Sequence, residues 1–166
     1  SSDKTIKCAM KLHDDYVVES VLIPTNERMT ACISSQVGCS LACAFCATGK
    51  LKRMRNLNAD EIFDQVVLVR NQAKERYNMP LTNIVYMGMG EPFDNVTEVM
   101  KAQEILTAAY GFELSTRKVT VSTIGIVPGM VTFLNQSEAH LAVSMHTPFD
   151  DERQKLMPVQ VAYPLE

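Results

Sequence analysis

Apolar positions recur along this chain with two different periods. Residues 5–12 and 16–23 read as short extended runs on either side of His13-Asp14-Asp15, closed by Pro24, and this predicts a β-hairpin. After the hairpin, short apolar strands alternate with stretches of helical period, the mark of repeated βα units and a parallel sheet. The predicted strands are 30–34, 83–87, 119–123 and 141–145. The first helix follows Asn58, and Glu61 three residues later completes a box-like start in which the cap alone is worth about 1 kcal/mol. Its apolar stripe is Ile62, Val66, Val69, Ala73 and Tyr77. A second helix is expected near Asp94, with Val99, Ala102, Leu106 and Ala109 on one face and Gly111 just past its end. Pro128 suits the first turn of a short third helix that runs to Leu134.

Composition adds bounds but little chemistry. With 166 residues, 46% hydrophobic and 21% charged, the chain has the make-up of one ordinary globular domain. It contains no run of 18 apolar residues, so no membrane span is expected. A net charge of −3 argues against a generally basic nucleic-acid binder. One local exception is Lys50, Lys52, Arg53 and Arg55, which are either candidate RNA phosphate contacts or a solvated charged loop. There is no tandem repeat beyond the βα alternation.

The chemistry begins at Cys39, Cys43 and Cys46, which stand at CX3CX2C spacing. Three thiolates can hold three corners of a cubane 4Fe-4S cluster and leave the fourth iron open, whereas a ferredoxin closes its cluster with four cysteines. A small molecule is then expected at the open iron, and S-adenosylmethionine is the candidate. The same residues also admit a zinc site, a disulfide pair or small buried hydrophobes. Zinc usually takes a fourth Cys or His, yet the remaining cysteines, Cys8 and Cys32, lie upstream and no His adjoins the trio. Five cysteines and no signal-peptide pattern speak against a secreted disulfide framework, so a reducing cytoplasm is the expected location.

Each following strand delivers candidates at its carboxyl end, where ligands bind in α/β folds. Gly88-Met89-Gly90-Glu91 offers close backbone approach at Gly90 and a carboxylate at Glu91 that can accept from an ammonium; it is equally a tight strand-to-helix turn. Ser122, Ser144, Met145 and His146 end the next two strands and could meet the carboxylate, sulfonium side or ribose of the same ligand.

CX3CX2C with an aromatic residue before its last cysteine resembles the signature of radical S-adenosylmethionine proteins. A narrower resemblance is carried by Ser34-Ser35-Gln36-Val37-Gly38-Cys39, Phe45-Cys46-Ala47-Thr48-Gly49-Lys50, Arg55-Asn56-Leu57, Met87-Gly88-Met89-Gly90-Glu91-Pro92, Val119-Thr120-Val121-Ser122-Thr123 and Lys155-Leu156-Met157-Pro158. In this order the strings look like the bacterial adenine-C2 RNA methyltransferases. The resemblance implies an α/β fold, a partial radical-SAM βα barrel carrying an N-terminal hairpin at 1–26 and a core at 27–164. Residues 165–166 read as a remnant appended for expression. A barrel of this kind needs about six to eight βα units, so the four strands predicted after the hairpin would leave an apolar sheet edge open to association.

It also implies a reaction. Family members methylate C2 of an adenine in 23S rRNA and in certain tRNAs, with electrons from a donor protein. A first S-adenosylmethionine methylates a cysteine near the C-terminus. A second is cleaved to a 5′-deoxyadenosyl radical that takes hydrogen from that S-methyl group, and the carbon radical adds to C2. The adduct then loses the C2 proton and is released by a second cysteine through a transient disulfide. By position, Cys39, Cys43 and Cys46 match the cluster ligands, and Gly90, Glu91, Ser122, Ser144, Met145 and His146 match cofactor contacts. Cys32 matches the resolving cysteine and Glu19 a proton acceptor, two roles that compete for the deprotonation step; as plain residues they read as a buried strand thiol and an outward-facing strand position. No cysteine follows Cys46, so the methyl-carrying one is expected to be missing from these residues, and the N-terminal RNA-gripping domain likewise. His146-Thr147-Pro148-Phe149-Asp150 departs from the commoner family pattern at Thr147 and Phe149. An adenine-C8 methyltransferase or a glycyl-radical activating enzyme would share the cysteine loop but not the surrounding strings. The reading from another class is a zinc-binding or RNA-docking module without catalysis.

Overall fold

The computed structural model describes residues 4–165; Ser1, Ser2, Asp3 and Glu166, and with Glu166 half of the expected appended tail, lie outside the described residues. Period-2 patterning produces the first elements. In β2 (Val17–Pro24) Val18, Ser20 and Leu22 are buried while Val17 and Glu19 face solvent, the alternation of a strand with one covered face. It pairs antiparallel with β1 (Ile6–Lys11) as the expected hairpin, and on its other side with β3 (Met29–Cys32). From β3 the sheet turns parallel through β6 (Asn83–Tyr86), β7 (Val119–Thr123) and β8 (His140–Val143), giving the order β1-β2-β3-β6-β7-β8. A two-residue pair, β4 (Gln36–Val37) with β5 (Arg55–Asn56), closes the loop that lies between.

Helices cover one face. α1 (Ala59–Tyr77) starts at a capping box in which Glu61 Oε2 accepts from the Asn58 N–H at 3.0 Å, and it ends with Asn78 in the left-handed region. It packs on β1, β2 and β3 through Ile62, Val66, Val69 and Ala73, all buried, each larger side chain adding about 1.5–3 kcal/mol of burial. A charge at the fully buried Val66 would break that contact. α2 (Val96–Thr107) and α3 (Val127–Gln136) continue the layer, and α4 (Asp150–Leu156) follows β8. Residues of the opposite strand parity, Val21, Cys32, Val85 and Ser122, are half-buried on the other face.

The four parallel strands and three helices lie where the pattern predicts, with informative shifts at their ends. β6 stops at Tyr86 and β8 at Val143, and one further bond joins each to its neighbour: the Gly88 N–H to the Ile33 carbonyl at 3.0 Å and the Ser144 N–H to that of Thr123 at 2.8 Å. The helix expected near Asp94 is preceded by a tight turn, Pro92–Asn95, so α2 proper begins at Val96 and Ala109 falls beyond it. Neither α4 nor the β4–β5 pair was anticipated; both are too short to show a period.

Candidate functional site

A cavity of about 320 Å³ opens at the carboxyl ends of β6, β7 and β8. The cysteine loop forms one wall, with Cys39, Cys43 and Cys46; the turn after β6 forms another, with Gly88, Gly90 and Glu91; Ser122, Ile124, Ser144 and His146 complete it. The parallel strands deliver all three walls, which is why residues 39 and 146 meet.

The loop is set by its own backbone. Cys46 N–H bonds the Cys43 carbonyl at 3.1 Å, Gly49 N–H that of Cys46 at 3.2 Å, and Cys39 N–H that of Leu51 at 3.3 Å, so the chain returns to its starting point. Gly38, at φ +74, allows this closure, since a Cβ there would stand 2.2 Å from the Lys52 carbonyl oxygen. Cys39 and Cys43 are buried and Cys46 is half-buried, all three free thiols. Burial pushes the Cys39 and Cys43 thiols up, and the neighbouring thiols add to it by mutual repulsion of their ionised forms. A cationic centre would reverse that balance and draw three thiolates. Among the described residues no group of three Cys, His, Asp or Glu side chains is arranged to hold a metal ion. All three thiols line one open cavity, and three soft sulfur donors suit an iron-sulfur cluster with one position left for a small molecule.

The strings around the loop turn out to be the scaffold of the second wall. Gly90 sits at φ +96, where an added Cβ would meet the Gln36 side chain at 2.5 Å. Gln36 Oε1 accepts from the Glu91 N–H at 2.9 Å, and Gln36 Nε2 donates to Asn56 Oδ1 at 2.8 Å. Ser34 Oγ accepts from the Met89 N–H at 2.8 Å and donates to the Glu19 carbonyl at 2.6 Å. Gln65 of α1 clasps both backbone groups of Ser34, and Asn95 donates to the carbonyls of Ser35 and Leu57. Sequence reasoning missed Gln36, Gln65 and Asn95 because each acts through backbone groups distant in the chain.

Glu91 differs from expectation. Its buried carboxylate accepts from the Phe93 N–H at 3.1 Å and the Ile124 N–H at 3.0 Å, so it is fixed by the fold before any ligand arrives. Burial pushes its carboxyl up, against the lowering pull of the Thr123 hydroxyl and those two amides. Ser122 and Ser144 face each other, Oγ to Oγ at 3.5 Å. His146 takes φ 59 and lays its ring 4.1 Å from that of Phe45, the aromatic residue of the cysteine loop.

Other candidates stand apart. Met145, between Ser144 and His146, is exposed and does not itself line the cavity. Glu19 and Cys32 do not line the cavity either, but Cys32 opposes Val21 and so shares a sheet face with Glu19. Burial pushes the Cys32 thiol up, and Glu19 is ion-paired with Lys7 at 2.6 Å. Of the four cations, Lys50 and Lys52 are exposed and Arg53 reaches Asp94 at 3.4 Å. Arg55 leaves the expected RNA-binding set: its guanidinium is taken by Asp14 at 2.5 Å and Glu61 at 2.7 Å.

Comparison with known proteins follows this geometry. The family described as "Radical SAM superfamily" matches residues 33–162. A protein of Christiangramia forsetii named "Probable dual-specificity RNA methyltransferase RlmN" is 56% identical over 168 residues, covering 100% of this chain and 47% of the relative. One of the same name from Flavobacterium psychrophilum is 51% identical over 99% of this chain and 48% of its own length. The crystal structure of a radical SAM methyltransferase from Sphaerobacter thermophilus superimposes with a TM-score of 0.94 at 42% identity, covering 97% of this chain and 47% of that one. The chain thus spans about half the length of the curated relatives it matches.

Proposed function

The chain belongs to the radical SAM superfamily, whose cofactors are a 4Fe-4S cluster and S-adenosylmethionine, and on that premise we propose that the protein methylates C2 of adenine in 23S rRNA and tRNA. Bound together, these cofactors supply one-electron reductive chemistry, which suits a carbon such as adenine C2 that is not nucleophilic. One observation supports this reading above the others: three cysteines, a glycine-rich turn and two strand-end serines meet on one cavity. Cys39, Cys43 and Cys46 would hold the cluster. Gly90 would admit the cofactor's methionine end beside the Glu91 carboxylate, while Ser122, Ser144 and His146 would contact its ribose or carboxylate.

Glu19 is the better candidate for removing the C2 proton, since its carboxylate is exposed, paired with the exposed Lys7, while burial pushes the Cys32 thiol up. Cys32 keeps the resolving role: its thiol gives up its proton, the thiolate attacks the sulfur of the methyl-carrying cysteine, and the bond from that sulfur to the methylene carbon breaks with its electron pair going to the RNA product, which takes up a proton there. Lys50, Lys52 and Arg53 would meet RNA phosphates. The methyl-carrying cysteine and the electron donor would come from outside these 166 residues. We assign residues 4–26 to a hairpin extension and 27–164 to the core, place the protein in the cytoplasm, and expect β8 to be the edge through which the chain associates. No helix among the described residues is long and apolar enough to cross a membrane.

Anaerobic reconstitution of the chain with iron and sulfide tests the reading. A brown product whose reduced electron paramagnetic resonance signal changes when S-adenosylmethionine is added is the expected result. A colourless protein that takes up zinc instead would replace it with the docking-module reading.

A further inference from the structure

Lys155-Leu156-Met157-Pro158 belongs to neither the cysteine loop nor the cavity lining, yet it follows Arg153, the largest fully buried side chain among the described residues, 1% exposed. The Arg153 guanidinium donates through Nη1 to Gln160 Oε1 and through Nη2 to the Ile124 carbonyl at 2.6 Å, while Nε has no partner. A buried cation ordinarily sits against a carboxylate. Here the carboxylate stands one residue's breadth away: the N–H of the same Ile124 donates to Glu91 Oε2 at 3.0 Å. Ile124 therefore presents its donor to a buried carboxylate and its acceptor to a buried guanidinium, and charge-assisted bonds of this kind are the strong ones. Three residues on, the Leu156 carbonyl accepts from the Ala44 N–H at 2.8 Å, between Cys43 and Cys46. Met157, fully buried, anchors that end.

We propose that Arg153 is the positioning residue of the cofactor cavity: through Ile124 it fixes where the Glu91 carboxylate stands, and through α4 it sets that wall against the cysteine loop. The proposal rests on the cofactor reading of the cavity. It gives the 150–160 segment a role that its distance from the cysteines in sequence conceals, since α4 grips two walls at once.

Three variants decide it: Arg153→Met, Arg153→Lys, which keeps a cation without the planar fork, and Gln160→Met, which removes one of Arg153's bonds but leaves Ile124 untouched. Two readouts are taken with thermal midpoints: hydrogen exchange at the Ile124 and Ala44 amides of the metal-free chain, and S-adenosylmethionine affinity of the reconstituted chain by calorimetry. Arg153→Met is expected to speed Ile124 exchange and weaken cofactor binding by about tenfold each. Arg153→Lys should recover part of both, and Gln160→Met should leave both within about twofold. Equal effects of the Arg153 and Gln160 variants would make Arg153 merely structural and overturn the proposal. If Arg153→Met does not fold, Arg153→Lys against Gln160→Met decides by the same criteria. Should the unaltered chain bind no S-adenosylmethionine, the cofactor reading itself fails, and the exchange data still report separately whether Arg153 holds Ile124.

Discussion

Arg55 leaves the cysteine loop on β5 and meets two carboxylates, Asp14 at 2.5 Å and Glu61 at 2.7 Å, whereas Arg153 approaches the same loop from α4 and donates only to neutral oxygens. Solvent explains the difference. The Arg55 side chain is 25% exposed, so its ions keep part of their hydration while they pair, and the clasp joins the hairpin turn, β5 and the start of α1. Arg153 is sealed, and its charge is met by two neutral oxygens, with the Glu91 carboxylate one peptide unit away across Ile124. The first clasp is therefore an electrostatic device, open to pH and salt, and the second a hydrogen-bonding one, closed to both.

The largest expected effect lies on the sealed side. Arg153→Ala leaves the Ile124 and Gln160 oxygens without donors and opens a cavity, so it should cost about 3 kcal/mol in equilibrium urea unfolding. A loss under about 1 kcal/mol would show that water or a neighbouring group takes its place. Arg55→Ala should cost less, about 1–2 kcal/mol, because Glu61 keeps the Asn58 N–H and water can reach the gap. Salt separates the two: at about 1 M, where screening reaches about 3 Å, the Arg55 deficit should shrink and the Arg153 deficit should not.

Acid separates them next. Arg55 holds the Asp14 and Glu61 carboxyls below their ordinary values, chiefly through its side-chain hydrogen bonds. With folded values depressed, the unfolded chain binds more protons in acid, so the contribution is complete above the ordinary carboxylate range near pH 4–5 and is lost as pH falls through the folded values. Stability measured from pH 7 to pH 3 should thus fall less steeply in Arg55→Met than in the unaltered chain. Parallel curves would mean that the clasp is already loose in solution.

The contrast also marks what the sequence could reveal. The hairpin, the four parallel strands and the three helices with periodic faces were legible because each buries a face whose spacing repeats. The cysteine trio was legible because its ligands are local in the chain. Arg55 and Arg153 were not: one looked like part of a basic loop, and the other drew no reading at all. What assigns them is partners 41, 6 and 29 residues away, a relation that no period carries. Acidic residues in a first turn were the one signal that could have found α4.

The smallest effect is the sharpest check on the comparison. His13 Nδ1 lies 3.4 Å from Glu61 Oε1, but its side chain is 74% exposed and Glu61 already accepts from Arg55 twice and from Asn58. His13→Ala alone should therefore change stability by less than about 0.5 kcal/mol. In an Arg55→Ala background Glu61 has lost its main partner while His13 Nδ1 still faces it at 3.4 Å, and removing His13 should cost a few tenths of a kcal/mol more. The same cycle built with Arg153→Ala should show no coupling, because among the described residues His13 meets Glu61 while Arg153 meets Gln160 and Ile124, with no partner in common. Coupling in the second cycle, or none in the first, would mean that the two arginines do not act as separate devices.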